Sequence, residues 1–168
     1  MTRRILLTIA VFLFIWSFSF AQSQNAFTTI ILIRHAEKST TPKDDPVLND
    51  AGKARAEHLA QMLQNSGVQA IYSTPFQRTR STVEPLAKQL SLTPIILDAK
   101  DSSQFAKAIR EKNAGQVVVV VGHSNTIPEI IQALGGPAMD EIDETQYDNF
   151  FIVTMANDGK SSLLKLKY

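Results

Sequence analysis

Along the chain, short β-branched runs alternate with segments whose apolar positions repeat at helical spacing. Thr28–Ile33 (Thr-Thr-Ile-Ile-Leu-Ile) is apolar without alternation, as a strand covered on both faces must be. Lys38–Val47 is polar, holds Pro42 and Pro46, and predicts a loop. Asn49 or Asp50 caps a predicted helix to about Gln64, with Ala56, Leu59, Ala60 and Leu63 on its inner face. Ala70–Tyr72 predicts a second strand. Ser73-Thr74-Pro75 then opens a second helix, with Val83, Leu86, Ala87 and Leu90 facing in and Pro85 expected to kink it. Pro94–Leu97 and Ser102–Lys112 predict the next strand and helix. Five consecutive valines, Val117–Val121, form a strand that water cannot wet on either face. A fourth helix spans about Thr126 to Leu134 and stops at Gly135-Gly136. Phe150–Met155 and Ser162–Lys167 flank Asn157-Asp158-Gly159, a hairpin signal. The alternation predicts a three-layer α/β/α sandwich with a mostly parallel central sheet and a C-terminal antiparallel hairpin.

The first 26 residues stand apart from this pattern. Arg3 and Arg4 precede an apolar run from Ile5 to Phe20, and Ser19 and Ala21 are small residues ahead of Gln22. That order describes a secretory signal peptide over residues 1–21, then a spacer over 22–26 and one domain over 27–168. The expected location is periplasmic or secreted, with membrane contact only during export. A retained anchor is the alternative, and the sequence leaves cleavage open. The 17 basic residues fall to 15 when Arg3 and Arg4 leave, against 16 acidic ones. So even a charge balance argues against nucleic acid as a partner. The chain has no cysteine, which excludes disulfides, thiol catalysis and thiolate metal sites.

Chemistry-bearing residues cluster where the predicted strands end. Arg34 and His35 follow the first, Ser73 to Arg78 the second, and Gly122-His123-Ser124-Asn125 the valine strand. Ligands of open α/β sheets lie outside the carboxyl ends of the strands. Two arginines and two histidines thus converge there, and helix N-termini add N–H donors. Such a crevice suits a tetrahedral anion.

Leu32-Ile33-Arg34-His35-Ala36-Glu37-Lys38 resembles the Arg-His-Gly signature of the histidine phosphatase (phosphoglycerate mutase-like) superfamily, with Ala36 in place of the glycine. Leu48 to Ala56, Ile71 to Thr82 and Val121-Gly122-His123-Ser124 follow in the same order. The chain is most similar to the short members without cap insertions, such as phosphohistidine phosphatases. The resemblance implies a phosphatase that needs no metal or cofactor and hydrolyses a phosphomonoester or phosphoramidate. It implies that neutral His35 attacks phosphorus to give a phosphohistidine, while Arg34, Arg78, His123 and Ser124 hold the phosphate. Small phosphorylated compounds and phosphoproteins both stay open as substrates, as does the oligomeric state. The general acid of many relatives has no counterpart after the third strand, where the chain reads Leu97-Asp98-Ala99-Lys100-Asp101-Ser102. Glu37, Asp98 and Asp101 are the candidates, or the leaving group departs without help.

Other readings are weaker. Gly122-His123-Ser124 resembles a nucleophile elbow, but no histidine follows Ser124 to serve as its base. A phosphate-binding module without catalysis is the remaining alternative. A zinc site from His35 and His123 lacks a third ligand. Arg80 lies about 200° around its helix from Arg78 and is expected to be structural or at the surface. His58 sits beside the apolar stripe and far from any strand end, and is expected to have no part in the site; Asp44-Asp45 and Asp140 to Glu144 are expected to be solvated faces.

Overall fold

The computed structural model describes residues 27–168, so the signal peptide expected over residues 1–21 and the spacer expected over 22–26 lie outside the described residues. Ten elements follow in order: β1 (Thr28–Arg34), α1 (Asp50–Leu63), β2 (Val68–Ser73), α2 (Gln77–Leu90), β3 (Ile95–Ile96), α3 (Ser102–Lys112), β4 (Val117–Gly122), α4 (Thr126–Ala133), β5 (Asn149–Met155) and β6 (Ser161–Lys167). One six-stranded sheet has the order β3-β2-β4-β1-β5-β6. The pairs among β1 to β4 are parallel, and β5 and β6 join antiparallel.

β1 and β4 lie at the centre because neither face of either strand tolerates water. Ile30, Leu32, Val118 and Val120 face α3 and α4, packing on Phe105, Ile109, Ile127 and Ile130. Ile31, Ile33, Val119 and Val121 face α1 and α2, packing on Leu59, Leu63, Val83 and Leu86. Each such side chain, fully buried, contributes on the order of 1.5–3 kcal/mol of transfer free energy. The helices thus form the two outer layers.

Local chemistry sets the element ends. Asn49 caps α1 by accepting from Gly52 N at 2.9 Å, and Asp101 caps α3 by accepting from Ser103 N. The first turn of α1 rests directly on the backbone after β1: a Cβ on Gly52 would stand 2.1 Å from the Glu37 carbonyl oxygen.

Two boundaries differ from the sequence expectation. The second helix starts at Gln77, not at Ser73-Thr74-Pro75. Ser73 stays in the ladder opposite Val121 and Ile96, and Pro75 disfavours the helical conformation at Thr74 before it. α2 continues through Pro85 to Leu90. β3 shrinks from the expected Pro94–Leu97 to two residues, because it has a neighbour on one side only; Ile95 and Ile96 are both exposed.

Candidate active site

The site begins with strand register. Arg34 ends β1 opposite Gly122 at the end of β4, and His35 N donates to the Gly122 carbonyl at 3.0 Å. His35 and His123 therefore leave neighbouring strands side by side, with ring centroids 5.5 Å apart. From β2, the Thr74 hydroxyl lies 3.0 Å from His123 Nε2. Arg78, in the first turn of α2, reaches His123 Nδ1 at 3.4 Å. Three segments distant in sequence meet at the carboxyl ends of three parallel strands.

Arg34 is only 1% exposed. Its Nη1 donates to the carbonyls of Asp143 (3.0 Å) and Gln146 (3.2 Å), and its Nη2 to Glu144 Oε2 at 2.6 Å. The Tyr147 ring covers the guanidinium, 4.3 Å from Cζ. Its buried Nε–H has no protein partner among the described residues.

His35 is equally buried, and its Nδ1 lies 2.8 Å from the Ala36 carbonyl. A carbonyl only accepts, so Nδ1 carries the proton and Nε2 carries the lone pair. Burial is the main force lowering the His35 pKa to about 3, and Arg34, His123 and Arg78 add positive charge in the same direction. The Ala36 hydrogen bond opposes them and loses. His35 is thus a neutral imidazole with one fixed tautomer.

His123 is fixed by similar logic. A guanidinium only donates, so Nδ1 accepts from Arg78, and Nε2–H points at Thr74 Oγ1. The Thr74 hydroxyl then donates to Thr79 Oγ1 at 2.8 Å, and Thr79 donates onward to the Phe76 carbonyl at 2.9 Å. Burial, followed by Arg78 and Arg34, lowers the His123 pKa to about 4. The Phe76 ring packs on His123 at 5.2 Å and under Arg78 at 4.4 Å.

Arg34, His35, Arg78 and His123 thus stand together. Ser124 joins them through its hydroxyl, which donates to Glu144 Oε1 at 2.5 Å. The three carboxylates considered as proton donors are engaged elsewhere. Glu37 is bound by Arg55, through Nε at 3.0 and 3.1 Å and Nη2 at 2.7 Å. Asp98 accepts from Lys100 N, and Asp101 from Ser103 and Gln104, all within their own turn. Arg80 and His58 are exposed.

Two residues expected to be simply solvated are not. Asp45 accepts from Gln77 N at 2.9 Å and lies 3.9 Å from Arg78. Glu144 bridges Arg34 and Ser124, and Tyr147 follows in the same loop. The apolar pattern carries no sign of that loop, because its residues meet the site through backbone carbonyls, one exposed carboxylate and a single aromatic ring, that of Tyr147. Among the described residues, no group of three His, Asp or Glu side chains is arranged to hold a metal ion. What the arrangement offers is a nucleophilic nitrogen beside two guanidinium groups, which suits a tetrahedral oxyanion able to accept an electron pair.

Comparison with known proteins agrees with this geometry. Residues 30–101 match the sequence model of the histidine phosphatase superfamily (branch 1). Over 72 residues the chain is 38% identical to phosphoserine phosphatase 1 of Hydrogenobacter thermophilus, which covers 39% of this chain. The match spans about a third (34%) of that relative's length. The fold is similar to the protein histidine phosphatase SixA complexed with tungstate, with TM-score 0.67 and 18% identity over 83% of this chain and 96% of that one. It is similar also to phosphoserine phosphatase of Entamoeba histolytica in complex with 3-phosphoglyceric acid, with TM-score 0.65 and 16% identity over 84% and 97%.

Proposed function

We propose that this chain, whose residues 30–101 match the model of the histidine phosphatase superfamily (branch 1), is an exported phosphatase of that family that works through a phosphohistidine on His35. The observation that carries this reading is the His35 tautomer: Nδ1–H is held by the Ala36 carbonyl at 2.8 Å, which leaves Nε2 as the nucleophile. The Nε2 lone pair attacks phosphorus, the bond from phosphorus to the leaving oxygen or nitrogen breaks, and the leaving group takes up a proton. Water then attacks the phosphohistidine, giving orthophosphate and restoring the neutral imidazole. Arg34, Arg78 and Ser124 hold the equatorial oxygens, where transition-state charge is spread, and His123, its two ring nitrogens engaged by Arg78 and Thr74, positions the Arg78 guanidinium.

The substrate class follows from the proton donors. Glu37, Asp98 and Asp101 are each bound to other partners. Glu144 is held below the usual carboxylate range, first by the Ser124 hydroxyl and also by Arg34 and Lys38. An ionised carboxylate is a poor acid, so leaving groups that depart with little help are favoured: a phosphoramidate nitrogen or a phenolic oxygen. The named activities of the relatives, on phosphoserine and on protein phosphohistidine, mark the first compounds to try. Export rests on Arg3, Arg4 and the apolar run from Ile5 to Phe20.

Rapid acid quench and alkaline quench of the protein lacking residues 1–21, with labelled substrate, test the mechanism. Label that is lost in acid and kept in alkali supports phosphohistidine. His35→Ala then abolishes label and turnover while inorganic phosphate still binds. Ser124→Ala costs about 1 kcal/mol, one hydroxyl hydrogen bond. Acid-stable label, or full turnover by His35→Ala, refutes His35 as nucleophile. Phosphate binding without turnover of any phosphorylated compound points to a binding module.

A further inference from the structure

We propose that Glu144 is a specificity-determining residue: an internal anion that a phosphoryl group must displace from Arg34 in order to bind. The inference rests on the phosphatase reading above and concerns the guanidinium edge that reading uses. Of the Arg34 donors, Nη1 is taken by two backbone carbonyls, those of Asp143 and Gln146. The edge left for a two-point oxyanion contact is Nε–H with Nη2–H, which point in parallel from one edge of the guanidinium, within its plane. Nε–H is buried without a protein partner, and Nη2 holds Glu144 Oε2 at 2.6 Å. The other Glu144 oxygen takes the Ser124 hydroxyl at 2.5 Å, a second donor assigned to phosphate. One carboxylate therefore occupies two of the donors that would cradle the phosphoryl oxygens.

The competitor is built to leave. Arg34 is 1% exposed, whereas the Glu144 side chain is 66% exposed. The guanidinium is locked by its carbonyl partners while the carboxylate can swing into water. Its negative charge also acts on Arg78 and His123, so the whole anion site feels it. A phosphoryl group with further contacts through its leaving side overcomes this competition more readily than orthophosphate does. Glu144 thereby weakens retention of product.

Binding of inorganic phosphate to wild type, Glu144→Gln and Glu144→Ala, measured by calorimetry, tests the proposal. Both variants should bind phosphate roughly threefold or more tightly, since a competing half-exposed ion pair and a like-charge repulsion are removed. Unchanged or weaker binding in both variants overturns it and makes Glu144 a clamp that holds Arg34 in place. Thermal melts show whether the variants stay folded, which the exposure of Glu144 leads us to expect. The phosphatase reading fails separately. A wild-type protein and variants that neither bind phosphate nor turn over any phosphorylated compound would refute both readings, whereas phosphate bound by wild type without a gain in the variants refutes only the role of Glu144.

Discussion

The backbone N–H of Ala36 donates to the Thr82 hydroxyl at 2.9 Å, across 46 residues of chain. The same hydroxyl donates to the Arg78 carbonyl at 2.7 Å. Thr82 thus ties the peptide after His35 to the helical turn that carries Arg78, and the bond to Ala36 is buried while that to Arg78 is partly so. Thr82→Val keeps the shape and leaves the Ala36 N–H unpaired. It should cost about 1–3 kcal/mol in urea denaturation and lower kcat through a displaced His35. Thr82→Ser should restore most of both. A valine variant with wild-type stability and kcat would remove Thr82 from this role.

The two site histidines couple stability to pH. Their pKa values are about 3 and about 4 in the folded protein, against an ordinary value of 6.5. Above pH 6.5 both imidazoles are neutral whether or not the chain is folded. Below it the unfolded chain binds protons that the folded chain refuses, so stability falls as pH drops from about 6.5 toward 4. Each histidine contributes up to about 1.4 kcal/mol per pH unit in that window. Denaturation at pH 7, 5.5 and 4.5 should show a steeper loss for wild type than for His35→Asn. Equal slopes would mean that His35 titrates alike in both states.

Turnover should survive excess chelator. On the proposed mechanism, positive charge at the phosphoryl group is assigned to Arg34 and Arg78, the first of them 1% exposed and fixed by backbone carbonyls. The measurement is initial rate with and without EDTA, followed by added divalent cations. Loss of activity with chelator and recovery with metal would refute the charge assignment.

The exported protein should begin at Gln22, the residue after Ala21. N-terminal sequencing or intact mass of protein recovered outside the cytoplasm checks this. A start at Met1 would make the segment an anchor.

Much of the fold was legible in the chain because its signals are short-ranged. Val117–Val121 and Thr28–Ile33 read as strands covered on both faces, and the stripe Ala56, Leu59, Ala60, Leu63 as a face turned to a core. The order of the motifs also placed Arg34, His35, Arg78 and His123 at strand ends, where parallel strands and right-handed crossovers bring ends together. Nothing local specified Glu144, which is an exposed acid among several and meets Arg34 only because its loop packs back across 110 residues. Nor could spacing reveal that Arg55 would take Glu37, or that Thr74 and Thr79 would orient His123. Hydrophobic periodicity, caps and turns depend on neighbours in sequence, so the sequence by itself determined the elements and the residues at their ends. Hydrogen-bond partners and pKa values depend on what burial brings within about 3 Å and on how much water it removes. Those were decided by the tertiary structure alone.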